Sequence, residues 1–133
     1  METTCVLIKP DAMRARHVGQ IITRFEQANL AVTACRVLTL DRAVLAEHYA
    51  HIVQKPFYPE VEEFMQSAPV IALAISGENA VAAVRALAGA TNPANAAEGT
   101  IRKTFGTDVM VNAVHASDSL EAATAELKRF GVA

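Results

Sequence analysis

Six consecutive residues, Val70-Ile-Ala-Leu-Ala-Ile75, carry no polar side chain. A run this short cannot cross a bilayer as a helix, which takes about 20 apolar residues. It reads as a buried strand. Cys5-Val-Leu-Ile-Lys9 is a second such run, ended by Pro10. Between and after these runs the spacing changes period. Val18, Ile21, Ile22 and Phe25 recur at helical intervals and predict an amphipathic helix over 17–28, with Asn29 as a left-handed terminator. Residues 31–40 predict another strand. Asp41 caps a helix carrying Leu45, His48, Tyr49 and Ile52 on one face. Short helices follow over 59–66 and 79–88, the latter closed by Gly89. Residues 89–108 read as a long loop, Val109 to His115 as a fourth strand, and 119–130 as a last helix closed by Gly131.

The order β-α-β-α-α-β-α-loop-β-α argues one domain over residues 1–133, an α/β (α+β) sandwich with helices on one face of a four-stranded sheet. Hydrophobic residues make up 52% and charged residues 20%, which excludes a disordered chain. The net charge of −2 leaves no broad basic field to hold nucleic acid or a membrane surface. Cys5 and Cys35 lie in apolar segments and read as buried small hydrophobes of a reducing compartment. No Cys/His pair has zinc-ligand spacing. The acidic N-terminus lacks a signal-peptide pattern, so a cytoplasmic location is expected.

The glycine motifs that cradle phosphates, G-x-G-x-x-G and G-x-x-x-x-G-K-[ST], are absent, so a bound nucleotide would be held by side chains. The densest polar cluster is Asn112-Ala-Val-His115-Ala-Ser117-Asp118-Ser119. Either a strand runs into a helix capped by Asp118 or Ser119, with Asp118 and Glu121 at capping-box spacing and His115 a bystander, or His115 is a nucleophile or acid–base group. Glu126 sits about 40° beyond the apolar stripe of the last helix and could turn towards His115, fixing which ring nitrogen is free. Lys9 ends an apolar strand and is either an edge residue or a phosphate-facing cation. Arg85 and Arg102 could join it in gripping a polyphosphate.

These blocks resemble the nucleoside diphosphate kinase family. The resemblance runs from Val6-Leu-Ile-Lys9-Pro-Asp11 to Glu126, through Val18-Gly-Gln-Ile-Ile22, His48-Tyr49, Lys55-Pro-Phe57, Gly89-Ala-Thr-Asn-Pro93, Gly99-Thr-Ile-Arg102 and Asn112-Ala-Val-His-Ala-Ser-Asp-Ser119. It implies a ferredoxin-like antiparallel sheet of order 4-1-3-2 covered by helices. It also implies transfer of the γ-phosphoryl group of a nucleoside triphosphate, typically ATP, to a nucleoside diphosphate through a phosphohistidine. On that resemblance His115 is the nucleophile at Nδ1, Glu126 holds its Nε2, Lys9 and Tyr49 lie by the transferred phosphate, and Ser117 supports the site. Arg85, Thr91 and Arg102 bind phosphates, Lys9 and Asn112 the sugar, and Phe57 the base, flanked by Val61 and Val109. Mg²⁺ is carried by the nucleotide phosphates rather than by a protein cage. A homo-oligomer, tetramer or hexamer, is implied.

Three features depart from the family pattern. Ala116 stands where glycine is usual, Val61 where leucine is more usual, and the chain ends at Ala133, ahead of segments that contact neighbouring subunits in longer members. A negative φ is expected at Ala116, because alanine occupies it without an evident compensating change. Two other readings compete. A catalytically weak nucleotide-binding or scaffold relative would have lost catalytic positions, and all are filled here. An RNA-binding module would want aromatic strands and a basic sheet face.

Overall fold

The computed structural model describes residues 1–133. Its sheet is antiparallel, with β1 (Glu2–Ile8), β2 (Ala31–Leu38), β3 (Val70–Gly77) and β4 (Val114–Ala116) in spatial order β2-β3-β1-β4. Read from the other edge this is the order 4-1-3-2. The two apolar runs are the two central strands, paired through Val6 and Leu73 among others. Seven helices surround the sheet: α1 (Pro10–Arg14), α2 (Val18–Gln27), α3 (Arg42–His48), α4 (Tyr58–Gln66), α5 (Ala80–Ala88), α6 (Ile101–Phe105) and α7 (Leu120–Arg129).

The helices cover both faces of the sheet, not one. Val6, Ile8, Leu73 and Ile75 pack with Ile21 and Phe25 of α2 and Val84 of α5. Cys5, Leu7, Ala72 and Ala74 pack with Leu45 of α3, Met65 of α4 and Leu127 of α7. Successive residues of a strand point to opposite faces, so two unbroken apolar strands need a core on each side. The same geometry corrects the reading of Cys35. β2 is an edge strand with only β3 beside it, and Cys35 is exposed while Cys5 is fully buried.

Three local differences bear on the site. Pro10 does more than end β1: it opens α1, with Lys9 as the residue before the first turn. Proline is preorganised for that position because its missing N–H would be unpaired there anyway. The stretch 89–108 contains a 3₁₀ turn at Pro93–Asn95 and the helix α6, whose first turn is capped by Thr100 accepting from Lys103 N. Finally, β4 has three residues instead of seven. Asp108 accepts the N–H groups of Met110 and Val111, Thr107 N–H bonds Val111 O, and Ala113 turns to a φ of 76°. Local turn bonds outcompete the ladder before Val114 is reached. Downstream, Ser119 caps α7 by accepting Ala122 N–H at 3.0 Å, and the Asp118–Glu121 capping box is not formed.

Candidate active site

β4 ends the chain's path across the sheet beside β1, and α7 folds back over the face of β1. That return brings Glu126 to His115. The carboxylate Oε1 of Glu126 lies 2.8 Å from His115 Nε2 and accepts Ser117 Oγ–H at 2.7 Å. Ser117 also reaches the Cys5 carbonyl at 3.3 Å. Burial by itself pushes the Glu126 carboxyl up. The bonds from His115 and Ser117, with the neighbouring imidazoles, more than offset this and hold it below the usual glutamate range. An ionised Glu126 accepts, so the His115 proton sits on Nε2, as assigned from this hydrogen-bond network. Nδ1 is then the nitrogen with a free lone pair.

His115 lines a cleft of about 940 Å³, together with Lys9, Tyr49, Phe57, Val61, Arg85, Thr91, Arg102, Val109 and Asn112. The structure therefore brings together all the residues singled out in the sequence except Ser117, which supports Glu126 from behind. The volume suits a ligand of nucleotide size. Phe57 and Val109 stand at its mouth, 51% and 59% exposed, and offer apolar surface to a flat ring.

Lys9 and Arg102 lie deeper, while Arg85 is exposed. Lys9 is 6% exposed; its Nζ donates to Asn112 Oδ1 at 2.9 Å and to the Met110 carbonyl at 2.6 Å. Asn112 in turn donates to the carbonyls of Thr91 and Val109. Burial, with Arg102 nearby, pulls the lysine down to about 8 against the attraction of Asp11 and Asp108. Arg102 lies on α6, not in a loop, and is 6% exposed. It donates to Gly89 O at 2.9 Å and Val114 O at 3.0 Å, which ties α5, α6 and β4 together. Burial and then the charge of Arg85 push its ionisation down. Lys9, Arg85 and Arg102 repel each other across the cleft, and an anion between them would relieve that repulsion. Tyr49 ends α3; its phenol is pushed up to about 12, chiefly by burial, and stays a proton donor.

Two neighbours of His115 were not singled out. His48 stands edge-on to it, with ring centroids 4.6 Å apart at 84°. Asp11 Oδ2 accepts Ala113 N–H, two residues before the histidine. The His48-Tyr49 and Lys9-Pro10-Asp11 blocks contained both residues, but no spacing rule predicts contacts across 67 or 102 positions. His48, His115 and Glu126 each bring a ligand-type atom to within 4.8 Å of the others. Two imidazoles and one carboxylate do not suit Mg²⁺, which takes six oxygens.

The family model described as "Nucleoside diphosphate kinase" matches residues 2–131. A nucleoside diphosphate kinase of Pasteurella multocida is 49% identical over 132 residues, covering 99% of this chain and 95% of that protein. One of Thermobifida fusca is 45% identical over 130 residues, covering 98% and 96%. Among solved structures, a nucleoside diphosphate kinase of Encephalitozoon cuniculi superposes with a TM-score of 0.94 at 41% identity, over 98% of this chain and 88% of that one. That of Aquifex aeolicus superposes at 0.91 with 38% identity, over 96% and 93%.

Proposed function

The chain belongs to the nucleoside diphosphate kinase family and moves a phosphoryl group from a nucleoside triphosphate to a nucleoside diphosphate; we propose that it does so through a phosphohistidine on His115. The Glu126 carboxylate held on His115 Nε2 at 2.8 Å supports this reading, because it leaves Nδ1 with a free lone pair on a residue that lines the same cleft as Lys9, Arg85 and Arg102.

In the first half-reaction the Nδ1 pair attacks the γ-phosphorus. The bond from that phosphorus to the β–γ bridging oxygen breaks, and its electrons stay on the departing diphosphate. In the second half, a terminal oxygen of the acceptor diphosphate attacks the same phosphorus and the P–N bond returns its pair to Nδ1. No net proton moves. Glu126 stabilises the imidazole as it becomes cationic, and Ser117 keeps that carboxylate in place. Lys9, Tyr49, Arg85, Thr91 and Arg102 position and neutralise the phosphates, which is most of what phosphoryl transfer requires. Lys9 and Asn112 hold the sugar. Phe57, with Val61 and Val109 beside it, stacks on a base of any identity, because every base has a π-face. Mg²⁺ enters and leaves with the nucleotide, as part of the substrate, and neutralises phosphate charge.

We also propose a reducing, cytoplasmic setting, supported by two free thiols, one of them exposed. A homo-oligomer, tetramer or hexamer, fits an edge strand β2 that leaves Val37 61% exposed. Initial rates test the mechanism: varying donor at several acceptor concentrations gives parallel double-reciprocal lines for a phosphoenzyme route, whereas intersecting lines exclude it.

A further inference from the structure

Glu126 and Arg129 are three residues apart on α7, a spacing at which opposite charges meet on a helix surface. Inside a partly buried cleft that attraction exceeds its value in water. The two side chains nevertheless form no ion pair with each other. Glu126 is taken up by His115 and Ser117, while Arg129 Nη1 donates to His48 Nδ1 at 2.9 Å. The other partner of Arg129 is Glu47, whose Oε1 is 3.3 Å from Nε. That carboxylate is 65% exposed and the pair lacks hydrogen-bond alignment, so it contributes little.

We propose that His48 is a positioning residue for phosphoryl transfer: its Nδ1 holds the Arg129 guanidinium away from Glu126 and so reserves that carboxylate for His115. The inference rests on His115 being the nucleophile that Glu126 orients.

A guanidinium only donates, so His48 Nδ1 must carry a lone pair and its proton sits on Nε2. The ring is 9% exposed, edge-on to His115 at 4.6 Å and to Phe130 at 5.1 Å. Burial, helped by the charges of His115, Arg129 and His51 and opposed only by Glu126, pulls His48 down to about 3. It therefore stays neutral, and stays an acceptor, throughout the working range. Without that acceptor Arg129 keeps the exposed Glu47 and the face of the Phe130 ring, 6.0 Å away, and the one buried carboxylate left to it is Glu126, three residues back on the same helix. A Glu126 paired with Arg129 no longer fixes the His115 tautomer.

The test compares steady-state kinetics of the wild type with His48→Phe, His48→Gln, Arg129→Met and the His48→Phe/Arg129→Met double variant. Phenylalanine keeps ring volume and removes the acceptor; glutamine keeps an acceptor oxygen. The expected result is a kcat roughly tenfold or more lower in His48→Phe, at nucleotide KM within about twofold, the scale for an imidazole that has lost its orienting group. His48→Gln and Arg129→Met remain near wild type, and the double variant recovers to within about threefold, because the competitor for Glu126 has gone. A double variant as slow as His48→Phe, or a His48→Phe as fast as wild type, overturns the proposal. If His48→Phe does not fold, ¹⁵N spectra of the wild type decide: a neutral His48 protonated on Nε2 supports it, and protonation on Nδ1 overturns it. Phosphorylation of wild-type His115, followed in the same preparations, separates the two claims. A labelled wild type with no rescue sinks only the role of His48, whereas an unlabelled wild type sinks the nucleophile and this inference with it.

Discussion

The Asp11 carboxylate accepts the backbone N–H of Ala113 at 3.0 Å, and so holds a turn that an alanine does not favour. Ala113 has a φ of 76°, and Val114 N–H bonds Asn112 O at 2.9 Å across it, a strained three-residue turn. The Ala113 carbonyl also accepts Lys9 N–H at 2.9 Å. Both ends of the Lys9–Asp11 segment thus fix the backbone two residues ahead of His115.

That strain has a measurable sign. Ala113 and Ala116 are both buried, at 0% and 4% exposure, but Ala116 does not have a positive φ. Replacing either by glycine loses a buried methyl and loosens the unfolded chain, a cost of about 1–2 kcal/mol. Only at Ala113 does glycine also relieve about 1–3 kcal/mol of strain. Denaturant titration should find Ala116→Gly destabilised by about 1–2 kcal/mol and Ala113→Gly at least about 1 kcal/mol more stable than it. Equal losses would mean that Ala113 carries no strain.

Unbroken apolar runs located the two central strands, because a strand buried on both faces has no polar side to alternate with, and helical periodicity located all the helices longer than one turn and a half, because burial on one helix face repeats every 3.6 residues. It did not find α1 or α6, each five residues long and too short for a period. It overextended β4, because the alternation of Val109 to His115 comes from a turn held by Asp108. It marked Ala116 as the position to question, whereas the left-handed residue is Ala113, fixed by a carboxylate 102 positions away. The residues that line the cleft around His115 were legible as a group through their motifs. The contacts that orient them, Asp11 on Ala113 and Arg129 on His48, join segments far apart in the chain and carry no local signature.

Glu126→Gln keeps the size of the side chain and removes its charge. The amide still reaches His115 and Ser117 but no longer stabilises a cationic ring. A fall in kcat of about 10–100-fold is expected, below the full effect of an acid–base group, with KM little changed. An unchanged kcat would make Glu126 a structural residue of α7.

Burial disfavours the charge of Lys9 and pulls it down to about 8. A bound polyphosphate favours that charge and raises the value. Between pH 8 and 9 nucleotide binding should therefore take up a proton. Calorimetry at pH 8.5 in buffers of differing ionisation enthalpy should detect the uptake in the wild type and lose it in Lys9→Met. Uptake that survives in Lys9→Met would assign it elsewhere.

In the proposed reaction His115 carries the phosphoryl group between two nucleotides. The direct measurement is incubation with γ-labelled ATP and no acceptor, followed by mapping of the label and its stability. One phosphoryl group per chain is expected, on His115, stable to base and lost in acid, transferred on addition of a nucleoside diphosphate, and absent from a folded His115→Ala variant. A wild type that takes no label, or a His115→Ala variant that still does, would contradict it.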